Sequence, residues 1–532
     1  MRMLPAILPV LLLAVACSGT LDVPGSGRVG EALADQARRE YLEPIRPGDA
    51  GRNPWWNGYA PRFLYAPAFN LPAVADAVRY RFTLTVTPVE GEAQNLSFEA
   101  ERPTASLAAV WNDILPGKVR LTVLGLDREG QTAGLSGVRS FVRDVPFQDG
   151  YPEAARPYRD AAVAAARFAY GLPAIQSWNN ATVPDMSLPF NAYPCKTIGS
   201  TVRMECLVAR LCPELSEEAL AIARHAAAFL IAQSRPASAT LAYFPPTYYG
   251  TLLTAGRAEN IGKTMMMEAV TVGDAFLDLY AATGETQYLL RAVGIANTYL
   301  RLQAADGSFP IKVDFVTGEA VNGSHALLTP LMEFWARLDT EFGMGAYRDG
   351  LRAAEEWMDR VPVETFDWTG QFEDVSVNVE PYSNLTDCTA APYASWILRR
   401  GTVSEKARED ARDLIRLCED QFVHWDEYVN AKWNICPPCV FEQFHYQTPV
   451  DNSACVVANA WLDWYLLTGD RLSLTKAKAL VDNIVNVQNP STGEIPTTWD
   501  EYPSRASRNG PWINCLINSV NTLLRMENFD TN

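Results

Sequence analysis

The sequence lacks the features that mark several common classes of function. It has only 4 histidines in 532 residues, and no cysteine or histidine cluster has the spacing of a zinc site. It also has no glycine-rich phosphate-binding loop and no nucleophile elbow with a catalytic serine. We therefore expect neither a bound metal nor a cofactor.

The chain also has fewer basic residues than acidic ones. The chain has 45 lysines and arginines against 62 aspartates and glutamates, which gives a formal net charge of -17 at pH 7. Such a balance is unfavourable for binding to nucleic acid or to an anionic membrane surface. The composition therefore argues against nucleic acid as the main partner.

Long apolar runs are absent except at the start of the chain. After Arg2, an apolar run from Leu4 to Val15 leads to Cys17. This run is too short to span a bilayer and is typical of a signal peptide, which predicts export. Residues 14–17 resemble a bacterial lipobox and predict that Cys17 is lipidated, anchoring a periplasmic or outer-membrane lipoprotein. The alternative is ordinary cleavage beside an incidental cysteine.

Composition and hydrophobic period divide the chain into four segments. The second segment is rich in glycine, proline and charge, which is typical of a tether with at most one short helix. We predict a signal peptide over 1–17, a tether over 18–52, a β-sandwich domain over 53–148 and a helical catalytic domain over 149–532.

The third segment has the pattern of β-strands. Apolar and polar residues alternate with a period of two over residues 80–86, 119–124 and 140–143, between turns rich in glycine, proline and aspartate. Alternation of this kind is typical of strands with one buried face. It predicts a small β-sandwich with few candidate catalytic groups.

From residue 153 onward the hydrophobic period is helical. The pattern predicts twelve helices, which form six consecutive pairs. Their expected ranges are 153–171, 196–211, 215–233, 263–283, 285–304, 324–342, 346–360, 386–400, 403–421, 450–468, 471–488 and 511–527.

An internal repeat supports this count of helices. Residues 277–285 (LDLYAATGE) match residues 462–470 (LDWYLLTGD), and each copy leads into another helix. Glycine tolerates the left-handed conformation that ends a helix, and the acidic residue after it favours the start of the next. Repeated helix pairs must stack to bury their apolar faces. We therefore predict a mainly α fold, an (α/α)6 toroid preceded by the small β-sandwich.

In a closed toroid, the loops before the inner helices gather at one mouth. Cleavage of a glycosidic bond needs an acid and a second carboxylate, so carboxyl groups in these loops are the catalytic candidates. Asp387 and Asp451 stand where helix N-caps belong, so a structural role is equally expected for those two. Glu380 and Glu442 lie in apolar loops near prolines, where an unpaired carboxylate is unfavourable, and we expect them to be the acid/base pair. The candidates are Glu380, Glu442, Asp451, Asp387 and Glu268.

Other polar and aromatic residues of the same loops are candidates for substrate binding. Two lysines precede matching helices, where a cation opposes the helix dipole, so a substrate carboxylate explains them better than stability does. Solvated lysines are the alternative, and structural roles are equally expected for the two histidines. We expect all of them except Trp512 to converge with Glu380, Glu442 and Asp451 on one pocket. They are Lys196, Lys263, His325, Tyr382, His445 and Trp512.

These features together resemble a known superfamily. A strand-rich segment with Trp55, Trp56 and Trp111 precedes six helical hairpins with the loops EPYSNLTD (380–387) and EQFHYQTPVD (442–451). The chain is similar to the six-hairpin glycosidases of polysaccharide-utilising bacteria, and most similar to glycoside hydrolase family 154. That resemblance implies β-glucuronidase-like activity on acidic glycans.

Two alternatives remain open at this stage. A polysaccharide lyase acting on uronates would use Tyr382 or His445 to abstract a proton, with Lys196 or Lys263 stabilising the enolate. A non-catalytic lipoprotein that captures glycans at the cell surface would need aromatic residues but no convergent carboxylates. Sugar epimerases share similar toroids, but the predicted export argues against them.

Overall fold

The computed structural model describes residues 26–46, 55–250, 257–427 and 434–529. The predicted signal peptide and the predicted lipidation site Cys17 lie outside these residues. Within the described ranges, no helix combines the length and the hydrophobicity that crossing a membrane requires. All nine cysteines in the described part of the chain are free thiols.

The described chain is mainly helical, as the sequence predicts. The helices are α1 (Ser26–Glu40), α2 (Tyr158–Tyr170), α3 (Pro173–Gln176), α4 (Gly199–Leu211), α5 (Ser216–Gln233), α6 (Glu268–Thr283), α7 (Thr286–Leu302), α8 (Thr329–Phe342), α9 (Arg348–Arg360), α10 (Pro362–Thr365), α11 (Asp387–Leu398), α12 (Glu405–Phe422), α13 (Asp451–Thr468), α14 (Arg471–Val487) and α15 (Ile513–Met526). The strands are β1 (Arg62–Phe63), β2 (Arg79–Pro88), β3 (Gln94–Ala100), β4 (Gly117–Leu126), β5 (Thr132–Arg143), β6 (Lys263–Met265), β7 (Lys312–Asp314), β8 (Val423–His424) and β9 (Cys439–Val440).

Twelve of these helices form a closed (α/α)6 toroid. The inner helices α4, α6, α8, α11, α13 and α15 contact one another in sequence, and α15 returns to contact both α2 and α4, which closes the ring. Each inner helix contributes to the lining of a polar central cavity of about 690 Å³. The predicted helix count and the predicted alternation of outer and inner helices are confirmed.

Local sequence signals account for the helix ends in the repeat. Gly284 and Gly469 adopt left-handed φ values of 72° and 76° directly after α6 and α13. Asp470 then caps α14, since its side chain accepts hydrogen bonds from the backbone N–H groups of Leu472 and Ser473. Glu285 takes the equivalent position before α7 but makes no capping bond and pairs with Arg224 instead.

The strand-rich segment forms one five-stranded sheet rather than the two sheets of a sandwich. Its strand order is β1-β5-β4-β2-β3, and only the pair β1 and β5 is parallel. Alternate residues of β2 are buried, as the period of two predicts. Within the described residues, the second layer contains no strands: Phe69, from a segment without regular structure, and Trp111, from the 3-10 helix Trp111–Asp113, pack against Phe141 of β5.

The sheet is fastened to the toroid by buried polar contacts. The Asp144 carboxylate bonds Arg62 of β1 at 2.8 Å and His424 of β8 at 2.9 Å. The Asp420 carboxylate accepts hydrogen bonds from the backbone N–H groups of Leu64 and Tyr65. The predicted domain boundary at residue 148 stays a prediction, because one continuous hydrophobic core includes residues of both parts.

The segment expected to be a tether contains the helix α1. Its Gln36 side chain donates a 3.0 Å hydrogen bond to Asp470, and Tyr41, just after the helix, donates a 2.6 Å hydrogen bond to Glu419. The sequence underestimated this segment because it has few apolar residues, and buried ones such as Ala37 depend on parts of the protein distant in sequence, among them α14, which α1 contacts.

Candidate active site

A cavity of about 1070 Å³ opens at the end of the toroid where the loops enter the inner helices. Its wall comes mainly from the loops before α4, α11, α13 and α15. Four of the eight residues expected to converge on one pocket line it. They are Lys196, Glu380, Glu442 and His445.

Glu442 is the buried carboxyl group of this cavity. It follows the short strand β9, and its side chain lines the cavity although the residue is only 7% exposed. The Gln443 amide donates a 2.8 Å hydrogen bond to Glu442 Oε2, and the Thr386 hydroxyl donates to the Glu442 backbone carbonyl at 2.6 Å. Burial raises the pKa of Glu442 above its usual range. This carboxyl group is therefore suited to hold a proton.

A second carboxylate lies in the same cavity next to a lysine. Lys196 Nζ is 2.6 Å from Glu373 Oε1, and both residues line the cavity. Burial alone would lower the pKa of Lys196, but the negative charge of Glu373 raises it above the usual value. Lys196 lies in the middle of the one-turn π-helix Pro194–Ile198 that leads into α4. Its ion pair with Glu373 offsets the unfavourable interaction between its charge and the helix dipole.

Sequence reasoning missed Glu373. The residue belongs to the long irregular loop between α10 and α11, of which only the last eight residues were considered as site candidates. The adjacent acidic residues Glu373 and Asp374 lie between the apolar residues Phe372 and Val375. An acidic residue within an apolar loop is also the pattern that made Glu442 a candidate. That pattern is the signal that could have found it.

Aromatic side chains form one wall of the cavity. Trp512 lies between Phe190 and Tyr446, with ring centroids 6.0 Å and 6.5 Å away. Lys196 Nζ lies 5.4 Å from the Trp512 ring centroid. Flat aromatic faces beside polar groups are a common arrangement in clefts that bind partly apolar, hydroxylated ligands.

The other predicted carboxylates lie deeper in the toroid. Glu268, the first residue of α6, lines the central cavity, and burial raises its pKa to about 7. Asp387 and Asp451 begin α11 and α13 and are fully buried, with hydrogen bonds from Ser453 and Ser519. Burial raises the pKa of Asp451 to about 8 and that of Asp387 well above its usual range.

Neither aspartate is the N-cap that the sequence suggested as its structural alternative. Thr386 holds the N-cap position before α11 and accepts from the Cys388 N–H, while Val450 holds the position before α13. Both aspartates lie one residue further on, inside the first turn. A negative charge there interacts favourably with the helix dipole, but burial opposes that charge.

Three predicted binding residues lie outside the cavity lining, so their expected convergence is wrong. Lys263 belongs to β6, which pairs with β7, and the helix α6 begins only at Glu268. His325 is exposed beside Trp357, with ring centroids 5.8 Å apart. The pairing of β6 with β7 and an isolated bridge from Pro310 to His325 hold this stretch of chain, and neither Lys263 nor His325 lines the cavity.

Tyr382 is the third of these residues. Its ring stacks on Tyr59 with a centroid distance of 5.0 Å, and its hydroxyl donates to the backbone carbonyl of Thr365. The side chain is therefore occupied in packing the sheet against the loop. Glu380, two residues earlier, is exposed at the rim of the cavity, as is His445.

Comparison with known proteins supports the fold. No protein-family model matches the sequence, and no curated protein matches it either. A solved structure of cellobiose 2-epimerase from Spirochaeta thermophila DSM 6192 is 10% identical, covers 70% of this chain and 98% of its own, and superposes with a TM-score of 0.50. At this identity the likeness shows the fold alone.

Two further solved structures have lower scores. A family 76 glycoside hydrolase from a bovine Bacteroides thetaiotaomicron strain is 11% identical and covers 88% of this chain and 96% of its own, with a TM-score of 0.45. An unsaturated glucuronyl hydrolase specific for heparin is 12% identical and covers 70% of this chain and 97% of its own, with a TM-score of 0.43. The resemblance to glycoside hydrolase family 154 stays a prediction.

Proposed function

We propose that the chain is an exported carbohydrate-active enzyme, a glycoside hydrolase that removes uronic acid residues from glycans in the manner of a β-glucuronidase. The observation that carries this proposal is a buried carboxyl group, Glu442, whose pKa is raised by burial and which shares one cavity with the ion-paired carboxylate Glu373 and an aromatic wall. In this proposal Glu442 protonates the leaving oxygen as the glycosidic bond breaks. The sequence paired it with Glu380, which lies on the exposed rim.

The charges of the cavity set a condition on an acidic substrate. Its described lining holds four carboxyl side chains, Glu373, Asp374, Glu380 and Glu442, and two permanent cations, Lys196 and Arg257. A uronate can enter with little repulsion only if Glu442 carries a proton and Glu373 is neutralised by Lys196. The burial of Glu442 and the ion pair of Glu373 both act in this direction.

Two cations remain able to contact a substrate carboxylate. An ammonium group has three N–H donors, and only one of those on Lys196 is needed for the bond to Glu373. Arg257 is exposed at the cavity wall, and a guanidinium can bind a carboxylate with two parallel hydrogen bonds. These groups support the uronate specificity within the proposal.

The lyase alternative is less well supported by this geometry. Of the groups it could use, Tyr382 and Lys263 do not line the cavity. His445 alone remains as a base, and it is exposed at the rim. The non-catalytic alternative would be favoured if Glu380 and Glu442 lay far from the mouth, whereas both line its cavity.

The specificity is tested by comparing an aryl β-glucuronide with the matching aryl β-glucoside. We expect kcat/KM to be at least about a hundredfold higher for the glucuronide, because a site built to pair with a charged group rejects the analogue that lacks it. The replacement Arg257→Gln should reduce this preference and leave hydrolysis of the glucoside little changed. Equal turnover of the two substrates, or preference for the glucoside, would refute the uronate specificity.

A further inference from the structure

We propose that Glu373, rather than Glu380, is the second catalytic carboxylate of this site, and that Lys196 is the residue that positions it. This inference rests on the proposed glycosidase function and deepens it. Glu373 is buried to 7% exposure, and it faces the same cavity as Glu442. Glu380 is exposed on the rim, where solvent screens its charge.

The surroundings of Glu373 hold both its position and its charge. Lys196 Nζ contacts Glu373 Oε1 at 2.6 Å, and a buried ammonium stabilises the ionised form of its partner. The Tyr248 hydroxyl donates a 2.8 Å hydrogen bond to the Glu373 backbone carbonyl, which helps to fix the loop. A carboxylate that must donate an electron pair needs this combination of rigidity and charge.

The pairing with Glu442 divides the two catalytic roles. Burial is the main cause that raises the pKa of Glu442. Gln443 and Lys196 oppose this rise in pKa, and the negative charge of Glu373 adds to it. Burial therefore favours the protonated form of Glu442, while Glu373 pairs with the Lys196 ammonium. Two titratable groups whose environments separate their protonation states are the usual arrangement of an acid and its partner.

The proposed hydrolysis uses these two carboxyl groups and one water molecule. As the glycosidic C–O bond breaks, its electron pair goes to the leaving oxygen, which takes the proton of Glu442. Glu373 supplies an electron pair in return, either to the proton of a water whose oxygen attacks the anomeric carbon, after which that proton returns to Glu442 through solvent, or to that carbon itself. In the second case water then cleaves the ester, and its proton passes to the Glu442 carboxylate.

A third group in the cavity, the Tyr193 hydroxyl, is available to bind a ligand. The Tyr193 hydroxyl is buried and has no hydrogen-bond partner within the described ranges, although it lines the cavity near Glu373 and Lys196. A buried donor without a partner is unfavourable unless a ligand completes it. Burial raises the pKa of Tyr193 to about 12, so the hydroxyl donates a hydrogen bond to the bound sugar and does not serve as a base.

The experiment compares Glu373→Gln and Glu380→Gln on two aryl β-glucuronides, one with a dinitrophenyl leaving group and one with a phenyl leaving group. Loss of the electron-pair donor should lower kcat about a thousandfold or more on both substrates. Glu442→Gln removes the acid, so its kcat should fall severely only on the phenyl glucuronide, because the dinitrophenyl group is a good leaving group and needs no proton. Glu380→Gln should lose far less than Glu373→Gln. The matched control Glu409→Gln changes an exposed glutamate on α12.

Two further readouts separate catalysis from structure. In Glu373→Ala, added azide or formate should restore part of the turnover, since a small anion can replace a missing electron-pair donor but cannot repair a misfolded site. Near-normal activity of Glu373→Gln, or a larger loss in Glu380→Gln, overturns the assignment. If the unaltered protein hydrolyses another aryl glycoside but not the glucuronide, the uronate proposal fails and the same variants are compared on that substrate. If it hydrolyses no glycoside, both proposals fall together.

Discussion

Replacing Glu442 by glutamine is expected to lower kcat on a phenyl β-glucuronide by at least about a hundredfold. Glutamine keeps the shape of the side chain and its contact with Gln443, but it has no acidic proton to give to the leaving oxygen. The effect should fall on turnover rather than on substrate binding, because the missing interaction is made in the transition state. Steady-state kinetics with substrate titration separates kcat from KM.

The same substitution should leave the fold intact. Glu442 is buried and its charged form is disfavoured there, so a neutral amide causes little loss of stability. The melting temperature of Glu442→Gln should therefore stay close to that of the unaltered protein. A variant that keeps near-normal turnover would show that Glu442 is misassigned, and Asp387, Asp451 and Glu268 would be the next candidates.

Replacing Glu419 by alanine should destabilise the protein by about 3–5 kcal/mol. The Glu419 carboxylate is 1% exposed and accepts hydrogen bonds from Tyr41 at 2.6 Å, Tyr65 at 2.8 Å and Trp425 at 3.1 Å. It also pairs with the buried Lys476 at 2.8 Å. Its removal leaves the buried Lys476 ammonium of α14 without a counter-charge and leaves the donors of Tyr41, Tyr65 and Trp425 without their acceptor.

Chemical denaturation gives the free energy of unfolding for this test. The matched control is Glu409→Ala, which removes an exposed glutamate from the same helix α12 and should change stability by less than about 0.5 kcal/mol. Adding Lys476→Met to Glu419→Ala should recover part of the loss, since it removes the stranded charge. A loss below about 1 kcal/mol in Glu419→Ala would show that the cluster does not hold α1 and the sheet to the toroid.

The helical part of the fold could be predicted because its signals are local. Apolar residues recur with a helical period along this part of the chain, and the repeat that contains Gly284 and Gly469 marks where α6 and α13 end. Six helix pairs can bury their apolar faces in only a few arrangements. The sheet was harder to predict because alternation along β2 shows that one face is buried, not what covers it. That cover includes the 3-10 helix that begins at Trp111.

The candidate site was predictable only where a residue lies close to the start of an inner helix. Glu442 and Lys196 satisfy this condition, and both line the cavity. Lys263 and His325 also come shortly before inner helices in the sequence. In the structure, however, Lys263 belongs to β6, which pairs with β7, and His325 forms an isolated bridge with Pro310. Glu373 reaches the cavity from the middle of a long loop, and its position depends on the ion pair with Lys196, 177 residues away. Such long-range contacts have no local pattern.

The most direct test of the central claim is analysis of the products formed from a panel of uronate-containing oligosaccharides. Mass spectrometry and near-ultraviolet absorbance are recorded together after incubation with the purified protein. A hydrolase that uses Glu442 as its acid should release saturated uronic acid and a shortened glycan, with no gain in absorbance. Products that absorb in the near ultraviolet would contradict the account, because a new carbon–carbon double bond is made by a lyase. Binding without any product would contradict it as well.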